Sequence, residues 1–439
     1  MHSVDKLISY IVRPGGKLVG HVRVPGDKSI SHRAVMLGSL AQGTTRITGL
    51  LEGEDVLGTL GAFRAMGVAM DGPNHGALAI HGAGLRGLTT PTKPLDMGNS
   101  GTAMRLMAGI LAGQQFDSEL IGDESLNKRP MERVAEPLRR MGAVITTAAG
   151  GRPPLKIKGG QTLRGIEYPM PVASAQVKSC LLLAGLYAEG DTIVSEPAPT
   201  RDHTERMLRG FGYPVLTRDA CISLRGGGKL VACEIDVPAD ISSAAFFLVG
   251  ASIAPGSDLM LEHVGINPTR TGVLRILTSM GANLELMNKR EVGGEPVADI
   301  RVRAARLRGI RIPEEQVPLA IDEFPALFIA AACAEGETVL TGAQELRVKE
   351  SDRIAVMAQG LRRLGIYAVE TPDGIVIHGG RFRGGAVDSH GDHRAAMAFA
   401  LAGPRAAGTV TVSDCKNVST SFPGFVELAA RVGLSINIE

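Results

Sequence analysis

The sequence is poor in the residues that build nucleic-acid and membrane surfaces. Its 439 residues include no tryptophan, and aromatic residues make up only 4%, so platforms for stacking bases are not expected. The formal net charge is only +2, which argues against bulk binding of nucleic acid. No apolar run is long enough to cross a membrane without meeting a charged residue. We therefore expect neither a nucleic-acid partner nor a membrane partner.

Cysteine is scarce as well. The five cysteines form an odd number without metal-type pairing, and most lie in apolar or strand-like stretches, so we expect reduced, buried thiols. The first sixteen residues have no apolar core of signal-peptide length. The segment "DSHGDH", residues 388–393, has histidines but no second ligand cluster to complete a metal site. We expect a cytoplasmic monomer that uses no metal and no other cofactor.

Glycine is abundant, with 56 residues, and it marks the end of a unit that the sequence repeats six times. Each copy has a polar tip, an Ala- and Leu-rich helix, a Thr/Val-rich strand, and a second helix that ends in a bulky residue and Gly. The closing glycines, each expected just after the last helical turn, are Gly67, Gly142, Gly212, Gly281, Gly365 and Gly433. The first helix of each copy is apolar nearly all round, which predicts burial. Each copy therefore resembles a β-α-β-α-β-β block.

Length and repeat number together predict the domain organisation. A chain of 439 residues is too long for one ordinary core, and three blocks per domain give two domains of similar size. Candidate hinges are Pro25-Gly26 and the segment "VPAD", residues 237–240.

The second helices are amphipathic and have recognisable starts. In "PMERVAEPLRRMG" we expect Pro130 in the first turn, where its missing N–H has no cost. In "DHTERMLRGFG" the spacing of Asp202 and Glu205 predicts a capping box.

Polar and basic residues gather where these helices begin. The groups are Lys28, Ser29 and Arg33; Asn99, Ser100, Gly101 and Thr102; Ser174, Ala175 and Gln176; Asp322 and Glu323; Asp392, His393 and Arg394; and, on the amphipathic helices, Arg129, Arg201, Lys349 and Arg353. A helix N-terminus offers free N–H donors and attracts anions. Any single Ser, Thr, Asn or Asp there is an ordinary cap.

The cations at these helix starts are harder to explain as caps. The helix dipole disfavours a positive charge at the N-terminus. Six residues break that preference: Lys28, Arg33, Arg105, Arg129, Arg353 and Arg394. Because local rules tend to fail at functional sites, we interpret the repetition as a pocket for a ligand with phosphate and carboxylate groups.

Two carboxylates stand among these charges, Asp322 in "AIDEFPALF" and Glu350 in "RVKESDR". Acid–base catalysis needs such groups close to the reacting atoms and beside charges that tune them. The alternative is that Glu350 only neutralises its basic neighbours, and spacing alone leaves both interpretations open.

At these residues the sequence resembles the 5-enolpyruvylshikimate-3-phosphate synthase family over nearly its whole length. The motifs are "PGDKSISHRA", "GNSGTAMR", "NKRP", "SAQVKS", "RDHTE", "IDEFP", "RVKESDR" and "DHR". The resemblance implies an α/β (α+β) enolpyruvyl transferase fold, an inside-out α/β barrel with three β-α-β-α-β-β repeats in each domain and the active site in the interdomain cleft. It places residues 1–26 and 239–439 in one discontinuous domain and residues 27–238 in the other.

The implied reaction transfers the enolpyruvyl group of phosphoenolpyruvate to the 5-hydroxyl of shikimate 3-phosphate and releases phosphate. The resemblance gives Asp322 the role of base, Glu350 the role of acid, and Lys28 a catalytic role beside its contacts to both substrates. The residues implied to hold shikimate 3-phosphate are Lys28, Ser29, Arg33, Ser174, Ala175, Gln176, Arg201, Asp322 and Lys349. Those implied to hold phosphoenolpyruvate are Lys28, Gly101, Thr102, Arg129, Gln176, Arg353 and Arg394.

The sequence departs from the family pattern in two places. Thr420 stands where many relatives have Lys, so the leaving phosphate has one fewer cation, or Lys416 or Lys349 serves instead. Leu106 stands where many relatives have Pro. The motifs look most like the bacterial branch that includes glyphosate-tolerant members, yet Gly101, and not Ala, keeps the space that this inhibitor needs.

Two alternatives remain. The UDP-N-acetylglucosamine enolpyruvyl transferases share the implied chemistry but carry a reactive Cys in the loop after the second buried helix, and "GQQFDSELIGDESLNKRP" has none. A non-catalytic anion-binding protein on the same fold is the other alternative, against which the pair Asp322 and Glu350 argues.

Overall fold

The computed structural model describes residues 8–439, which fold as two compact units. Unit 1 contains residues 8–25, 238–291 and 296–439, and unit 2 contains residues 26–237 with the short segment 292–295. Each unit has its own hydrophobic core. The hinge role of Pro25-Gly26 and residues 237–240 stays a prediction.

The α-helices lie within these two units. They are α1 (Lys28–Leu40), α2 (Glu54–Ala65), α3 (Gly101–Ala112), α4 (Glu132–Arg140), α5 (Ala175–Gly185), α6 (His203–Gly210), α7 (Ile241–Ile253), α8 (Gly272–Ser279), α9 (Phe324–Cys333), α10 (Arg353–Arg363), α11 (His393–Ala400) and α12 (Phe425–Val432). Short 3₁₀ helices span Leu126–Lys128, Glu314–Gln316, Gln344–Val348, Gly403–Arg405 and Lys416–Thr420. No helix in residues 8–439 is long and apolar enough to cross a membrane.

The strands alternate with the helices along the chain. They are β1 (Tyr10–Val12), β2 (Val19–Val22), β3 (Ala41–Thr48), β4 (Ala69–Asn74), β5 (Ala77–Ala83), β6 (Leu95–Asp96), β7 (Ser118–Ile121), β8 (Val144–Ala148), β9 (Arg152–Lys158), β10 (Glu167–Pro169), β11 (Asp191–Ser195), β12 (Leu216–Arg218), β13 (Cys221–Arg225), β14 (Leu230–Val231), β15 (Glu234–Asp236), β16 (Asp258–Gly265), β17 (Asn283–Val292), β18 (Glu295–Arg303), β19 (Glu337–Leu340), β20 (Tyr367–Thr371), β21 (Gly374–His378), β22 (Gly385–Asp388), β23 (Val410–Ser413) and β24 (Ile436–Ile438).

The sheets follow the predicted repeat. In unit 2 the strand orders are β6-β7-β9-β8, β10-β11-β13-β12 and β14-β3-β5-β4, with β15 also paired to β3. The first strand of a block runs parallel to the second, as for Leu95 opposite Leu120, and a hairpin then adds two antiparallel strands. In unit 1 the orders are β22-β23-β1-β24, β17-β18-β16-β2 and β19-β21-β20. The sequence from β6 through α3, β7, α4 and β8 to β9 is therefore one complete β-α-β-α-β-β block.

The apolar helices lie inside each unit, as predicted. Every residue of α7 is buried, and eleven residues of α3 are buried. At Gly109 of α3 a Cβ atom would lie 2.2 Å from the carbonyl oxygen of Cys180, so only glycine permits this approach of α3 to α5. A hydrogen bond of 2.9 Å from Gln176 to Thr102 joins the first turns of the same two helices. The two helices therefore run parallel and bring their N-termini together at one end of unit 2.

The six closing glycines are confirmed as left-handed residues, with φ between 75° and 114°. The predicted start of α4 is wrong, because the helix begins at Glu132 and Pro130 lies before its N-cap, Met131. The predicted capping box of α6 is also wrong. Asp202 is the N-cap, but its carboxylate accepts a hydrogen bond from Arg206 at 2.8 Å and caps no backbone N–H.

The cysteines follow the expectation in part. All five are free thiols, Cys180 and Cys415 are buried, and Cys233 and Cys333 are half-buried. Cys221 is exposed, contrary to the expectation of burial, because it begins strand β13 on a half-covered sheet.

Candidate active site

The first helix of unit 2 begins with a lysine held by a buried carboxylate. Asp27 caps α1 by accepting a hydrogen bond from the Ile30 N–H at 2.9 Å, so Lys28 and Ser29 are the first two residues of the helix and do not precede it. The Lys28 ammonium lies 2.9 Å from the Asp55 carboxylate, which is almost fully buried. Because Asp55 stands at the start of α2, its charge offsets the unfavourable placement of a cation at an N-terminus.

Arg33 is buried one turn further along α1. Its guanidinium donates to the Thr204 hydroxyl at 2.6 Å, to the Ser179 hydroxyl at 2.8 Å and to the Ser29 carbonyl at 2.9 Å. The last contact places Arg33 and Ser29 on the same face of α1. Burial lowers the pKa of Arg33 to about 10, which still leaves a cation at neutral pH. The side chain is thus fixed in one orientation.

The start of α3 brings two guanidinium groups beside a glycine. Ser100 caps this helix by accepting from the Ala103 N–H at 3.1 Å, and Gly101 is its first residue. A Cβ atom at Gly101 would lie 3.1 Å from an Arg105 nitrogen and 3.2 Å from an Arg129 nitrogen. Arg129 also donates to the Asn99 side chain at 2.8 Å.

Gln176 connects α5 to this arrangement. Its amide nitrogen donates to the Thr102 hydroxyl at 2.9 Å, and its carbonyl oxygen accepts from Arg105. Arg105 also donates to the Pro130 carbonyl at 3.1 Å. Ser174 caps α5 by accepting from the Val177 N–H at 3.4 Å. The sequence motifs assign no site role to Arg105, one of the six cations at helix starts, although it contacts the predicted binding residue Gln176.

Further residues complete the polar end of unit 2. Ala175 is the first residue of α5, and half-buried Arg201 lies two residues before α6. His32, which the sequence motif contains without an assigned role, lies between the Thr59 hydroxyl at 2.8 Å and the Ser100 hydroxyl at 3.4 Å. Burial, assisted by the positive charge of Lys28, lowers the pKa of His32 to about 3, so this imidazole is neutral.

In unit 1 a buried arginine gathers three carboxylates. The Arg353 guanidinium lies 2.6 Å from Glu350, 2.9 Å from Asp392 and 3.3 Å from Asp322. Burial acts to lower the pKa of Arg353, but the attraction of Asp392, Glu350 and Asp322 prevails and raises it above its ordinary value. Asp322 and Glu350 are thereby held on the same guanidinium, although they lie 28 positions apart in the chain.

Two more cations contact Asp322. The Lys349 ammonium lies 3.8 Å from its carboxylate, and the Arg394 guanidinium donates to its backbone carbonyl at 3.1 Å. Burial lowers the pKa of Lys349, while Asp322 opposes the shift. Asp392 caps α11 by accepting from the Arg394 N–H at 2.9 Å, which confirms the predicted helix start.

Thr420, at the position of the absent lysine, is buried at the end of a short 3₁₀ helix. Its hydroxyl donates to the Asn417 carbonyl at 2.7 Å, and Lys416 on the same turn is exposed. Whether Lys416 or Lys349 replaces the missing cation stays a prediction. Among residues 8–439 no group of three or more His, Cys, Asp or Glu side chains is arranged to hold a metal ion.

Each unit therefore offers a different chemistry. The polar end of unit 2 presents fixed cations, hydroxyls and helix N-termini, which bind phosphate and carboxylate groups. The cluster of unit 1 places two half-buried carboxylates among three cations, the surroundings in which a carboxyl group moves protons. Such a pair of sites defines an enzyme that acts on small anionic substrates.

The comparisons with known proteins agree with this class. The family model of EPSP synthase (3-phosphoshikimate 1-carboxyvinyltransferase) matches residues 12–428, and the chain belongs to this family. The 3-phosphoshikimate 1-carboxyvinyltransferase of Methylococcus capsulatus is 67% identical over 434 residues, which is 99% of each chain. That of Nitrosococcus oceani is 66% identical over 429 residues, covering 98% of this chain and 97% of the relative.

The solved structure of EPSP synthase from Acinetobacter baumannii has a similar fold. The TM-score is 0.90 at 59% sequence identity, and the match covers 99% of this chain and all of that one. The family that the motifs predict is thus confirmed, and so is the two-domain α/β fold class. The role of each site residue stays a prediction.

Proposed function

We propose that this protein transfers the enolpyruvyl group of phosphoenolpyruvate to the 5-hydroxyl of shikimate 3-phosphate and releases inorganic phosphate. The observation that carries the proposal is the pairing of Asp322 and Glu350 on Arg353 in a chain that matches the family over nearly its full length. A protein that only bound anions would need the cations of this cluster but no pair of half-buried carboxylates.

The reaction is an addition followed by an elimination. Asp322 takes the proton of the 5-hydroxyl while the oxygen adds to C2 of phosphoenolpyruvate, and Glu350 delivers a proton to the methylene carbon. The tetrahedral intermediate then returns a proton from the new methyl group to Glu350 and expels phosphate, which takes up the proton held by Asp322, and the enol ether of the product forms. Both carboxylates thus regain their starting protonation, and no electrons are exchanged, so the proposed reaction needs no cofactor. General acid–base catalysis of this kind contributes about 100-fold to 10,000-fold in rate.

The substrates are polyanions, and the cations divide between them in this proposal. Lys28, Ser29, Arg33, Ser174, Ala175, Gln176, Arg201, Asp322 and Lys349 hold shikimate 3-phosphate. Lys28, Gly101, Thr102, Arg129, Gln176, Arg353 and Arg394 hold phosphoenolpyruvate. Three contacts support this division: Arg33 is fixed by two hydroxyls, Arg129 lies against Gly101, and Arg353 is held among carboxylates. A fixed guanidinium needs little further ordering when its anion binds.

Glyphosate is proposed as an inhibitor that takes the place of phosphoenolpyruvate. The absence of a side chain at Gly101, where even a Cβ atom would lie close to the Arg105 and Arg129 guanidinium groups, supports this proposal. The monomeric state and the cytoplasmic location expected from the sequence stay predictions.

Phosphate release tests the proposed function. The protein is incubated with both substrates, with each substrate alone, and with phosphoenolpyruvate plus UDP-N-acetylglucosamine. Release only with shikimate 3-phosphate and phosphoenolpyruvate together is the expected result. Release with the UDP-sugar would favour the other enolpyruvyl transfer, and binding of both anions without release would favour an anion-binding protein.

A further inference from the structure

A buried lysine in unit 2 holds two buried glutamates, and none of the three has a role in the reaction proposed above. The Lys178 ammonium lies 2.7 Å from the Glu205 carboxylate and is hydrogen-bonded to Glu196. The exposed fractions of these side chains are 1% for Lys178, 6% for Glu196 and 2% for Glu205. We call these three residues the Lys178 cluster.

One arm of the cluster ties together the helices that hold Arg33. Lys178 on α5 is followed by Ser179, and Glu205 on α6 is preceded by Thr204. The Ser179 and Thr204 hydroxyls both accept hydrogen bonds from Arg33, and they bond each other at 2.7 Å. The Lys178–Glu205 ion pair therefore joins α5 to α6 beside the two hydroxyls that orient the Arg33 guanidinium.

The other arm fixes the loop that carries Arg201. Glu196 follows β11, and its second carboxylate oxygen accepts a hydrogen bond from the Thr200 N–H at 2.7 Å. Thr200 is directly followed by Arg201. One lysine is thus connected, through one glutamate each, to the surroundings of Arg33 and to those of Arg201.

The charges of the cluster matter as much as its geometry. Burial lowers the pKa of Arg33. Among the neighbouring charges, Glu205 opposes this shift most strongly and Arg201 adds to it, so Arg33 interacts electrostatically with both residues. Two bare glutamates at this place would repel a phosphate group. Because the Lys178 ammonium offsets the negative charge of both glutamates, they repel the phosphate group less, and the positive charges of Arg33 and Arg201 attract it more effectively.

Stability alone gives no reason for such a cluster. A buried ion cluster is often no more stabilising than well-packed apolar side chains of similar volume, because desolvation of the charges offsets their attraction. The rest of α5 after its first turn, "SCLLLAG", has no other charged residue, so an apolar side chain at this position would continue the buried face. The charges therefore call for another explanation.

We propose that Lys178 is a positioning residue that sets Arg33 and Arg201 for the phosphate group of shikimate 3-phosphate. This inference rests on the proposed function, in which both arginines bind that substrate. It assigns to Lys178 an effect on one substrate and not on the other, because within unit 2 the contacts of the cluster lead to the surroundings of Arg33 and Arg201 and not to Gly101 or Arg129.

The test is the Lys178→Met variant, which keeps the length of the side chain and removes its charge. We expect the KM for shikimate 3-phosphate to rise about tenfold or more, and the KM for phosphoenolpyruvate and kcat to stay within about threefold, since hydrogen bonds of a charged group are among the stronger ones. The matched control is Lys229→Met, at an exposed lysine of the same unit, which should change neither constant.

A second variant covers the risk that two uncompensated buried glutamates prevent folding. Lys178→Met/Glu196→Gln/Glu205→Gln removes every charge of the cluster while preserving its volume, and circular dichroism verifies that it folds. Its KM for shikimate 3-phosphate should also rise about tenfold, because the neutral groups no longer hold the Arg33 and Arg201 segments. An unchanged KM in a folded variant, or an equal rise for both substrates, would overturn the role of Lys178.

The controls separate this inference from the proposed function. A wild-type protein that releases no phosphate from the substrate pair would contradict the proposed function itself. If Arg33→Ala left the KM for shikimate 3-phosphate unchanged, the assignment of Arg33 to the binding site of this substrate would be contradicted. A functional wild type, an impaired Arg33→Ala and a normal Lys178→Met would contradict only the positioning role.

Discussion

A methyl group added at Gly101 should weaken the binding of glyphosate much more than the binding of phosphoenolpyruvate. The Gly101→Ala side chain would meet Arg105 and Arg129 nitrogens at 3.1 Å and 3.2 Å, whereas ordinary carbon contacts are 3.4–4 Å. The guanidinium groups must therefore move by a few tenths of an ångström. Gly101 is the first residue of α3 and has no positive φ, so the backbone itself accepts alanine.

The magnitude follows from how these arginines are held. Arg129 is bonded to Asn99, and Arg105 to Gln176 and to the Pro130 carbonyl, so neither can move without stretching a hydrogen bond. Overpacking of a well-packed site costs about 1–3 kcal/mol. Glyphosate is the longer anion and is proposed to reach Gly101, so the full cost of overpacking weakens its binding. We expect its inhibition constant to rise about 100-fold. Phosphoenolpyruvate is shorter, and its KM should rise less than about tenfold.

Steady-state titrations of the wild type and of Gly101→Ala, with glyphosate varied against phosphoenolpyruvate, measure both constants. The matched control is Gly61→Ala on an exposed face of α2, where a Cβ atom meets nothing within 4 Å. This control should leave both constants unchanged and raise the free energy of unfolding by about 0.4–1 kcal/mol. Equal rises of the two constants in Gly101→Ala would refute the reasoning, because they would indicate general damage to the site.

Three further outcomes follow from the unit 1 cluster. Glu350→Gln and Asp322→Asn should lower kcat by about 100-fold, measured by phosphate release, and near-normal turnover of either variant would remove that residue from proton transfer. Burial acts to raise the pKa of Asp392, but Arg353 lowers it below its ordinary value, so this carboxylate stabilises the fold at neutral pH and loses its contribution as the pH falls through the acidic range. Asp392→Asn should therefore reduce the free energy of unfolding by about 3 kcal/mol in urea titrations at pH 7, and by less at about pH 3, which lies below the ordinary pKa of an aspartate; an equal loss at both values would contradict the argument. Because burial lowers the pKa of Lys349 below 10.5, the KM for shikimate 3-phosphate should rise with pH before an ordinary lysine would titrate, and Lys349→Arg should abolish that rise.

Sequence reasoning predicted the features that depend on neighbouring residues. Helices that are apolar on every face have to be buried. A glycine that follows the last turn of a helix, such as Gly142, adopts a positive φ because the chain changes direction there. The family motifs likewise identified the residues at the helix starts. The wrong helix start at Pro130 and the wrong capping box at Asp202 show how local patterns fail: the cap of α4 is shifted to Met131, and the Asp202 carboxylate takes Arg206 as its partner.

Contacts between distant segments could not be predicted in this way. Arg353 meets Asp322 and Asp392, which lie 31 and 39 positions away, and only the packing of α9, α10 and α11 decides that they converge. Lys178 did leave a signal, because a lysine inside an apolar helix requires a partner that neutralises it. Nothing in the local pattern indicates that Glu196 and Glu205 are those partners.

The strand pairing of unit 1 has a consequence for how the chain acquires its structure. β1 lies between β23 and β24, and β2 lies beside β16, so residues 10–22 complete sheets whose other strands come more than 230 residues later. Unit 2 takes almost all of its residues from the continuous stretch 26–237. During synthesis unit 2 can therefore form most of its hydrophobic core before the strands that pair with residues 10–22 have been made. Loop-closure entropy makes such distant pairing slow, and the last step of folding is expected to be the closure of the β22-β23-β1-β24 sheet. The segment that is made early is thus the one that becomes ordered late.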